Sequence, residues 1–411
     1  MVSIMVVNKK RIVLSNKIYP LFAGLSSDLI FFLTINTLFL TEVKGFSALE
    51  ISSFTTISLL VMIILNPLVM KTINKIGALN SVKLGVIFLF LGAFLITFGT
   101  NYLTILLGYI FYEAFYYFKK MDTVLLRKNL LFLHEEEKQL EIESYHSLIY
   151  AVVTMFTTFV SGLLFNLNNY LPMICCLIFC FINIILVNFL YEVKTPNRVI
   201  KNSKRKIKTT HLVFLILLLF SITYAIIDLG QNNAQLFIQY NLGSFLSIND
   251  VAIYLSIIIS ASIITRVIVN YSFINIYNKY ENRVLSIIGY ALILSFSLIL
   301  LCSFITPKIV GIVLMSIGFC MFLGIKDPFE NYIKDLLLNN TNPVDHEVVI
   351  NKLNYVRKIG RLVVSSLITL ILLKDSLFYV MVFLLGLSCF SLVIVYEIYK
   401  LLKKKKYSKL N

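Results

Sequence analysis

Charged residues are scarce in this sequence, since Asp, Glu, Lys and Arg together make up 14% of its 411 residues. Hydrophobic residues account for 58%, and the mean hydropathy is +0.86. A water-soluble fold of this composition would expose a very large apolar surface, so the composition excludes a soluble globular domain. The chain is predicted to be an all-α protein that crosses a membrane many times.

The sequence also lacks the motifs of several functional classes. No P-loop pattern G-x4-G-K-[ST] is present, which argues against direct driving by ATP. All four histidines lie outside the apolar runs, and Cys175, Cys176 and Cys180 have no nearby histidine or acid, so we expect buried unpaired thiols. The N-terminal residues show no small-residue cleavage site, and no cleaved signal peptide is expected. We predict no enzymatic activity, no cofactor and no metal.

Long apolar runs divide the chain, and each is close to the roughly 20 residues that a helix needs to cross a bilayer. Twelve membrane-spanning helices are predicted from them. The predicted spans cover residues 18–40, 49–69, 81–100, 102–124, 147–168, 170–191, 212–238, 251–273, 284–305, 309–325, 354–373 and 377–399.

The basic residues are distributed very unequally between the two sides of these spans. All but four of the 37 Lys and Arg residues fall on the side of the N-terminus. The exceptions are Lys44, Lys308 and Lys374 on the other side and Arg266 inside a span. The positive-inside rule therefore predicts that both termini are cytoplasmic. The net charge of +16 is interpreted as a topology signal, and no nucleic-acid partner is expected.

An internal repeat relates the two halves of the chain. Asp28-Leu29 recurs as Asp228-Leu229, and the segment 47–51 (SALEI) recurs as 247–251 (SINDV), both 200 residues later. Ordered agreement of this kind predicts two pseudo-symmetric six-helix halves. We expect an N-terminal half at 1–191, a basic cytoplasmic linker at 192–211 and a C-terminal half at 212–411.

Six plus six spans, cytoplasmic ends, a long basic central loop and a basic turn after the second helix of each half resemble the major facilitator superfamily of secondary transporters. The loop signature of that family, G-x-L-x-D-R-x-G-R-K, is matched at Lys75 and Gly77, whereas Asn74 replaces the acid. Tyr109 stands where many members have an Arg in the fourth span. The resemblance implies transport by alternating access, a central cavity lined by the first, fourth, seventh and eighth spans, and a cytoplasmic gate loop. The gate-loop residues would be Asn74, Lys75, Gly77, Asn278 and Lys279.

Ionisable residues inside the apolar runs are the strongest functional candidates, because such a group near the bilayer centre needs water or a partner. Asp28, Glu113 and Asp228 are the proton-coupling candidates. Burial disfavours the charged form of a carboxylate, so a buried acid can load and release protons near neutral pH. Three such acids against Arg266 predict an anionic cavity, which favours protons or cationic cargo.

Polar side chains at helical spacing form stripes beside these acids. They line either a watery cavity or a structural hydrogen-bond seam, and the tyrosines either bind an organic cation or join helices. Arg266 either binds an anion or pairs with Asp28 or Glu113. The substrate-cavity candidates are Tyr109, Tyr116, Tyr117, Tyr224, Gln231, Asn232, Gln235, Arg266 and Asn270.

These features predict a secondary active transporter that moves a small molecule across the cytoplasmic membrane of a bacterium. We expect it to be a monomer coupled to protons, and to export lipophilic or cationic compounds. One alternative is a proton-coupled importer of a polar nutrient or an anion, in which Arg266 contacts the substrate. A further alternative is a membrane sensor or partner protein that does not transport.

Overall fold

A computed structural model describes residues 2–193, 210–280, 283–305, 308–341, 346–374 and 376–407, and these residues are almost entirely helical. Within this part of the chain, nine helices are long and apolar enough to cross a membrane. The protein is therefore a multi-pass membrane protein. The count of twelve spans and the side on which the termini lie stay predictions. Most of the predicted linker, from 194 to 209, lies outside the described residues.

The chain divides into two compact units. Unit 1 comprises Met1–Phe39 and Ile57–Asn202, and unit 2 comprises Leu40–Thr56 and Ser203–Asn411. The first half contains α1 (Val2–Leu25), α2 (Phe32–Leu38), α3 (Ala48–Ile76), α4 (Ala78–Phe98), α5 (Tyr102–Lys119), α6 (Met121–Leu133), α7 (Gln139–Leu167) and α8 (Leu171–Leu186). A short π-helical turn, Phe39–Val43, follows α2. Helix α3 begins in the segment that belongs to unit 2 and ends in unit 1.

The second half contains seven helices, all in unit 2. They are α9 (His211–Gly243), α10 (Ile248–Tyr280), α11 (Val284–Leu301), α12 (Lys308–Gly324), α13 (Lys326–Asn339), α14 (His346–Leu372) and α15 (Leu377–Tyr407). Helix α9 is the most enclosed of the membrane helices in the described residues, because α10, α12, α13, α14 and α15 all pack against it.

The internal repeat is visible in local structure. Ser47 and Glu50 form a reciprocal cap at the start of α3, with the Glu50 carboxylate accepting from the Ser47 N–H at 2.8 Å. Ser247 and Asp250 cap α10 in the same way, since the Ser247 hydroxyl donates to Asp250 at 2.6 Å and accepts from its N–H at 3.3 Å. The sequence similarity between 47–51 and 247–251 thus encodes the same helix start twice.

Helix pairing also repeats within the units. In unit 1, α1 packs on α7, and α4 packs on both α5 and α8. In unit 2, α9 packs on α14, and α11 packs on both α12 and α15. When the predicted spans of each half are numbered from one to six, both units pair the first span with the fifth, and the third with the fourth and the sixth. The fourth span of each half is followed directly by a further helix, α6 or α13.

The first predicted span is interrupted. Helix α1 ends at Leu25 and α2 begins at Phe32, so the predicted continuous helix over 18–40 is wrong between these residues. The Ser26 and Ser27 hydroxyls donate to the Phe22 and Ala23 carbonyls, both at 2.7 Å, and so satisfy acceptors at the end of α1. Phe31 has φ = 72°, a left-handed conformation that is uncommon for a residue other than glycine. Side chains therefore hold an irregular backbone inside an apolar bundle.

Two helical segments extend beyond the predicted spans. Helix α12 ends at Gly324, close to the predicted end of the tenth span at 325, and α13 follows it directly to Asn339. Helix α14 begins at His346, before the predicted start of the eleventh span at 354. The limits of the membrane along these helices stay predictions, but Lys326 lies on a packed helix and not in a loop.

Close packing of α9 and α14 depends on Gly360. A Cβ atom at this position would lie 2.5 Å from the carbonyl oxygen of Ser221, and the Ser221 hydroxyl donates to the Val356 carbonyl at 3.0 Å. We predict that Gly360→Ala destabilises the protein by about 1–3 kcal/mol, because backbone atoms must move. The fall in the midpoint of thermal unfolding of the purified protein measures the effect.

Gly386→Ala on α15 is the matched control, because no atom lies within 4 Å of the added Cβ. This variant should unfold at the wild-type temperature or slightly above it, since alanine favours a helix by up to about 1 kcal/mol. Equal stability of the two variants would contradict the close approach of α9 and α14.

Candidate functional site

Asp28 lies in the interruption between α1 and α2, where its carboxylate accepts from the Leu29 N–H at 2.7 Å. The Tyr112 hydroxyl, on α5, also donates to this carboxylate. Tyr116 follows one helical turn later, and the two tyrosine hydroxyl oxygens are 2.7 Å apart. An acid in an irregular segment and two hydroxyls on a neighbouring helix therefore form one hydrogen-bonded group, which we call the acid–tyrosine cluster (Asp28, Tyr112 and Tyr116).

Basic side chains border this cluster at the end of α1. The Lys119 ammonium donates to the Ala23 carbonyl at 3.2 Å and lies 3.7 Å from the Asp122 carboxylate. The His146 Nε2 is 3.0 Å from the Ser27 hydroxyl, next in sequence to Asp28. Neither Tyr112 nor His146 was predicted as a site residue from the sequence. The i, i+4 spacing of Tyr112 and Tyr116 could have indicated that both tyrosines lie on one face of α5. His146 could not have been found in this way, because only the tertiary structure brings α7 next to α1.

The other candidates on α5 have different surroundings. Glu113 and Tyr109 are buried, with 6% and 8% of their surfaces exposed. Tyr117 packs against a cluster of apolar side chains that includes Met62 on α3 and Phe118. Tyr117 therefore contributes to apolar packing in unit 1, and Tyr116 of the predicted α5 stripe joins the acid–tyrosine cluster.

Asp228, the repeat counterpart of Asp28, lies near the middle of the continuous helix α9. The Arg361 Nε is 2.7 Å from one carboxylate oxygen, and the Lys326 ammonium is 3.6 Å from the other. Two cations thus stabilise the carboxylate. The predicted excess of acids over Arg266 does not hold around Asp228, because Lys326 and Arg361, both counted on the cytoplasmic side, lie next to it.

Tyr224 lies one turn before Asp228 on α9 and is covered by cations. The Arg357 guanidinium carbon lies 4.5 Å from the centre of the ring, and the Lys326 ammonium lies 5.9 Å from it. Arg357 also approaches Glu330 on α13 at 3.6 Å. The Tyr224 ring, a predicted cavity residue, is therefore in contact with the protein's own cations.

Arg266 on α10 is paired within unit 2. Its Nε and one terminal nitrogen donate to the two oxygens of Asp327, both at 2.5 Å. Asn270 donates to the same carboxylate at 2.8 Å. Within unit 2, Asp327 is therefore the bidentate partner of Arg266, and the pairing of Arg266 with Asp28 or Glu113 stays a prediction.

The remaining polar residues of α9 lie on its C-terminal half. Gln231 and Asn232 are half-buried, and Gln235 is buried. Gln239 donates to the Thr41 hydroxyl at 2.6 Å, within the segment Leu40–Thr56 that belongs to unit 2. The C-terminal end of the polar stripe on α9 therefore forms a hydrogen-bonded contact with another segment of unit 2.

The predicted gate loop between α3 and α4 contains a carboxylate from elsewhere in the chain. Asn74 and Lys75 are exposed at the end of α3, and Gly77 has φ = 83°. Glu192 accepts from the Leu79 N–H at 2.8 Å and from the Lys128 ammonium at 2.8 Å. An acid that follows α8 therefore binds the start of α4, close to the position where Asn74 replaces the acid of the family signature.

The second-half counterpart of this loop is only partly described. Asn278 and Lys279 lie in the last turn of α10, where the Lys279 ammonium lies 5.3 Å from the centre of the Tyr280 ring. Among the described residues, no group of three or more His, Cys, Asp or Glu side chains is arranged to hold a metal ion.

The chain matches no protein-family model and no curated protein. It does resemble solved transporter structures over nearly its whole length. The nucleoside transporter NupG has a TM-score of 0.70 at 13% identity, covering 95% of this chain and 99% of that chain. A D-xylose-proton symporter has 0.65 at 13%, covering 95% and 96%, and an inward-facing bacterial homologue of the iron transporter ferroportin has 0.64 at 12%, covering 96% and 99%.

These likenesses show the fold alone: the chain shares the fold of these transporters, as the resemblance noted in the sequence implied. The similar structures are named as transporters or as a homologue of one, and the absence of enzymatic activity in this chain stays a prediction. At this low identity, they do not carry the substrate or the coupling ion over to this chain.

The contact between Arg266 and Asp327 predicts a structural role for Arg266. Both side chains are about one-third exposed, at 34% and 28%, so we expect Arg266→Gln to destabilise the protein by about 1–3 kcal/mol, below the range for fully buried pairs. The double variant Arg266→Gln with Asp327→Asn should recover most of this loss, because no carboxylate is left unpaired. Thermal unfolding of purified variants measures both effects, and a double variant less stable than Arg266→Gln would refute the pairing.

Glu192 predicts a pH-dependent stability. Burial raises the pKa of its carboxyl, but bonds from the Leu79 N–H and from Lys128 outweigh burial, so its pKa lies below the usual value. The stabilisation is therefore present above about pH 4.3, the unfolded value, and is lost as the pH falls through the folded pKa. At neutral pH, Glu192→Gln should cost about 1–2 kcal/mol, and the difference from wild type should shrink below about pH 4.

Glu135→Gln provides the control for this experiment. Glu135 also pairs with a lysine, Lys138, at 2.9 Å, but their side chains are 39% and 55% exposed. Exposed pairs contribute little, so this variant should unfold like the wild type at every pH. A Glu192→Gln deficit that did not change with pH would contradict the assignment.

Proposed function

We propose that the protein is a secondary active transporter that moves a small molecule by alternating access and couples this movement to protons through Asp28. The observation that carries the proposal is the acid–tyrosine cluster in the interrupted first span. The fold supports transport, since transporters share it over 95% of this chain, one of them a D-xylose-proton symporter. We place the protein in the cytoplasmic membrane of a bacterium, as a monomer.

The geometry around Asp28 suits a carboxylate that gains and loses a proton. An ionised carboxylate only accepts hydrogen bonds, whereas a protonated one also donates. Tyrosine hydroxyls both donate and accept, so the Tyr112–Tyr116 pair can reverse its direction when Asp28 is protonated. The irregular backbone beside the acid also has fewer helical bonds to lose when the segment moves. Interrupted helices of this kind are typical of ion and substrate sites in transporters.

Asp228 is a weaker candidate for proton coupling than Asp28. Arg361 and Lys326 lie within 4 Å of its carboxylate, and protonation would leave both cations without that partner. Glu113 is buried and stays a candidate. We assign the proton-coupled step to Asp28, with Glu113 as the second acid, and a structural and electrostatic role to Asp228.

The charge of the cargo separates the two versions of this proposal. Export of lipophilic cations was predicted from an excess of acids, and that excess is absent around Asp228. The cations of unit 2 favour the second version, in which the cargo is a polar or anionic nutrient. A membrane sensor without transport would share the fold but would show no flux in liposomes.

Asp28→Asn should abolish proton-driven transport, because an amide cannot bind and release the coupled proton. The measurement is proton flux into proteoliposomes, followed with a pH-sensitive dye while a substrate panel is added. Tyr112→Phe removes the hydroxyl that bonds Asp28 but leaves the acid. It should slow the flux by about tenfold to a hundredfold, as expected for the loss of one hydrogen bond to a charged group, and retain coupling.

Tyr145→Phe is the control, because it removes a tyrosine hydroxyl from an exposed position of unit 1, on α7. Its flux should equal that of the wild type. Full proton-driven transport by Asp28→Asn would assign the coupling to Glu113 and refute this part of the proposal. Absence of flux from the wild type across the panel would favour the sensor.

A further inference from the structure

Unit 2 contains a group of basic side chains that the proton-coupling mechanism does not use. We call Lys326, Arg357 and Arg361 the basic cluster. Lys326 is the first residue of α13, and Arg357 and Arg361 are one turn apart on α14. All three side chains are between 19% and 22% exposed, so they are partly accessible to solvent.

The carboxylates near this cluster are fewer than the cations. Asp228 contacts Lys326 and Arg361, at 3.6 and 2.7 Å. Glu330 contacts Arg357 at 3.6 Å, but it also contacts Lys334 at the shorter distance of 2.7 Å. In the described part of the chain, these ion pairs join four cations, Lys326, Lys334, Arg357 and Arg361, to two carboxylates. The third nearby acid, Asp327, accepts hydrogen bonds from the Nε and a terminal nitrogen of Arg266.

The position of the cluster makes this imbalance unfavourable unless an anion is bound. Its cations surround Tyr224 and Asp228, near the middle of a 33-residue apolar helix. Uncompensated charge is costly in such surroundings and persists where it serves ions or substrates. Arg357 is the cation best placed to exchange partners, because its contact with Glu330 is long and its guanidinium rests on the ring of Tyr224 at 4.5 Å.

We infer that the basic cluster binds the oxyanion of the transported molecule, with Arg357 and Lys326 as direct contacts and the Tyr224 ring beneath them. The substrate class is a small organic anion that carries a carboxylate or a phosphate monoester. A guanidinium matches the two oxygens of either group, and an ammonium adds a point charge. Asp228 keeps Lys326 and Arg361 in place when no substrate is bound. This inference rests on the proposed transport function and names its substrate class.

Binding to the purified full-length protein tests the inference directly. Benzoate and phenyl phosphate supply a carboxylate and a phosphate monoester on the same ring, and tetraphenylphosphonium supplies a lipophilic cation. In isothermal titration calorimetry, at least one of the two anions should bind and tetraphenylphosphonium should not. Arg357→Gln and Lys326→Gln should each weaken binding of that anion by about tenfold or more, as expected for loss of a charge-assisted bond.

Lys308→Gln is the matched control, because it removes one positive charge from an exposed position in unit 2, at the start of α12. It should bind the anion as the wild type does. Arg357→Lys keeps the charge but loses the planar fork, so its affinity should lie between those of the wild type and Arg357→Gln. Thermal unfolding confirms that each variant is folded before titration.

Three results would overturn the inference. They are binding of tetraphenylphosphonium alone, binding of neither anion, and anion affinities unchanged in both Arg357→Gln and Lys326→Gln. Inorganic phosphate and an anionic lipid are included as competitors. If only the lipid displaces the bound anion, the basic cluster binds lipid headgroups, and the proposal of a small organic anion as cargo is refuted. Proton flux that depends on Asp28 but not on the basic cluster would leave the proposed transport intact while refuting this substrate class.

Discussion

An ionised carboxylate inside an apolar helix bundle requires a partner, and this constraint shapes both units of the protein. Placing an Asp at the centre of a membrane helix costs about 2.5–3.5 kcal/mol even on the most permissive scale. Asp28 and Asp228 stand at equivalent positions of the internal repeat, and each is followed by leucine. Their surroundings therefore show two different ways in which the same cost is met.

In unit 1 the acid accepts from neutral donors, a backbone N–H and the Tyr112 hydroxyl, and the helix is interrupted at this point. The Lys119 ammonium also interacts with Asp28 electrostatically. In unit 2 the helix is continuous, and the cations Arg361 and Lys326 lie within 4 Å of Asp228. Neutral donors tolerate either protonation state of a carboxyl, whereas cations stabilise the ionised state. The two acids of the repeat therefore differ in their immediate partners.

Hydropathy was sufficient to predict an all-α protein that crosses a membrane several times. Apolar runs located the membrane helices, and the similarity of residues 47–51 and 247–251 marked two helix starts that share one type of cap. The interruption after Leu25 was missed, because neither glycine nor proline marks residues 26–31. Serine and aspartate side chains replace the missing helical bonds there, and a hydropathy window does not detect such bonds.

The candidate site was predicted only in part, for a related reason. Asp28, Asp228 and Tyr116 were selected from their types and spacing, but their partners come from distant segments. Lys326 and Arg361 lie close to predicted helix ends, where a basic residue normally indicates a cytoplasmic loop. Only the packing of α13 and α14 against α9 reveals that these cations serve acids inside unit 2. Tertiary contacts of this kind leave no periodic signal in sequence.

The neutral seams of unit 2 extend this argument to conformational change. Two pairs of hydroxyls join the first turns of α3 to α14, Ser52 with Thr369 at 2.9 Å and Thr56 with Ser365 at 2.6 Å. Hydrogen bonds between membrane helices contribute only about 0.6 kcal/mol each on average, and hydroxyls exchange partners without leaving a charge uncovered. The Arg266–Asp327 pair, in contrast, would expose two charges on opening. We therefore expect movements of α3 to use the hydroxyl seam, while the ion pairs keep α9, α10, α13 and α14 together.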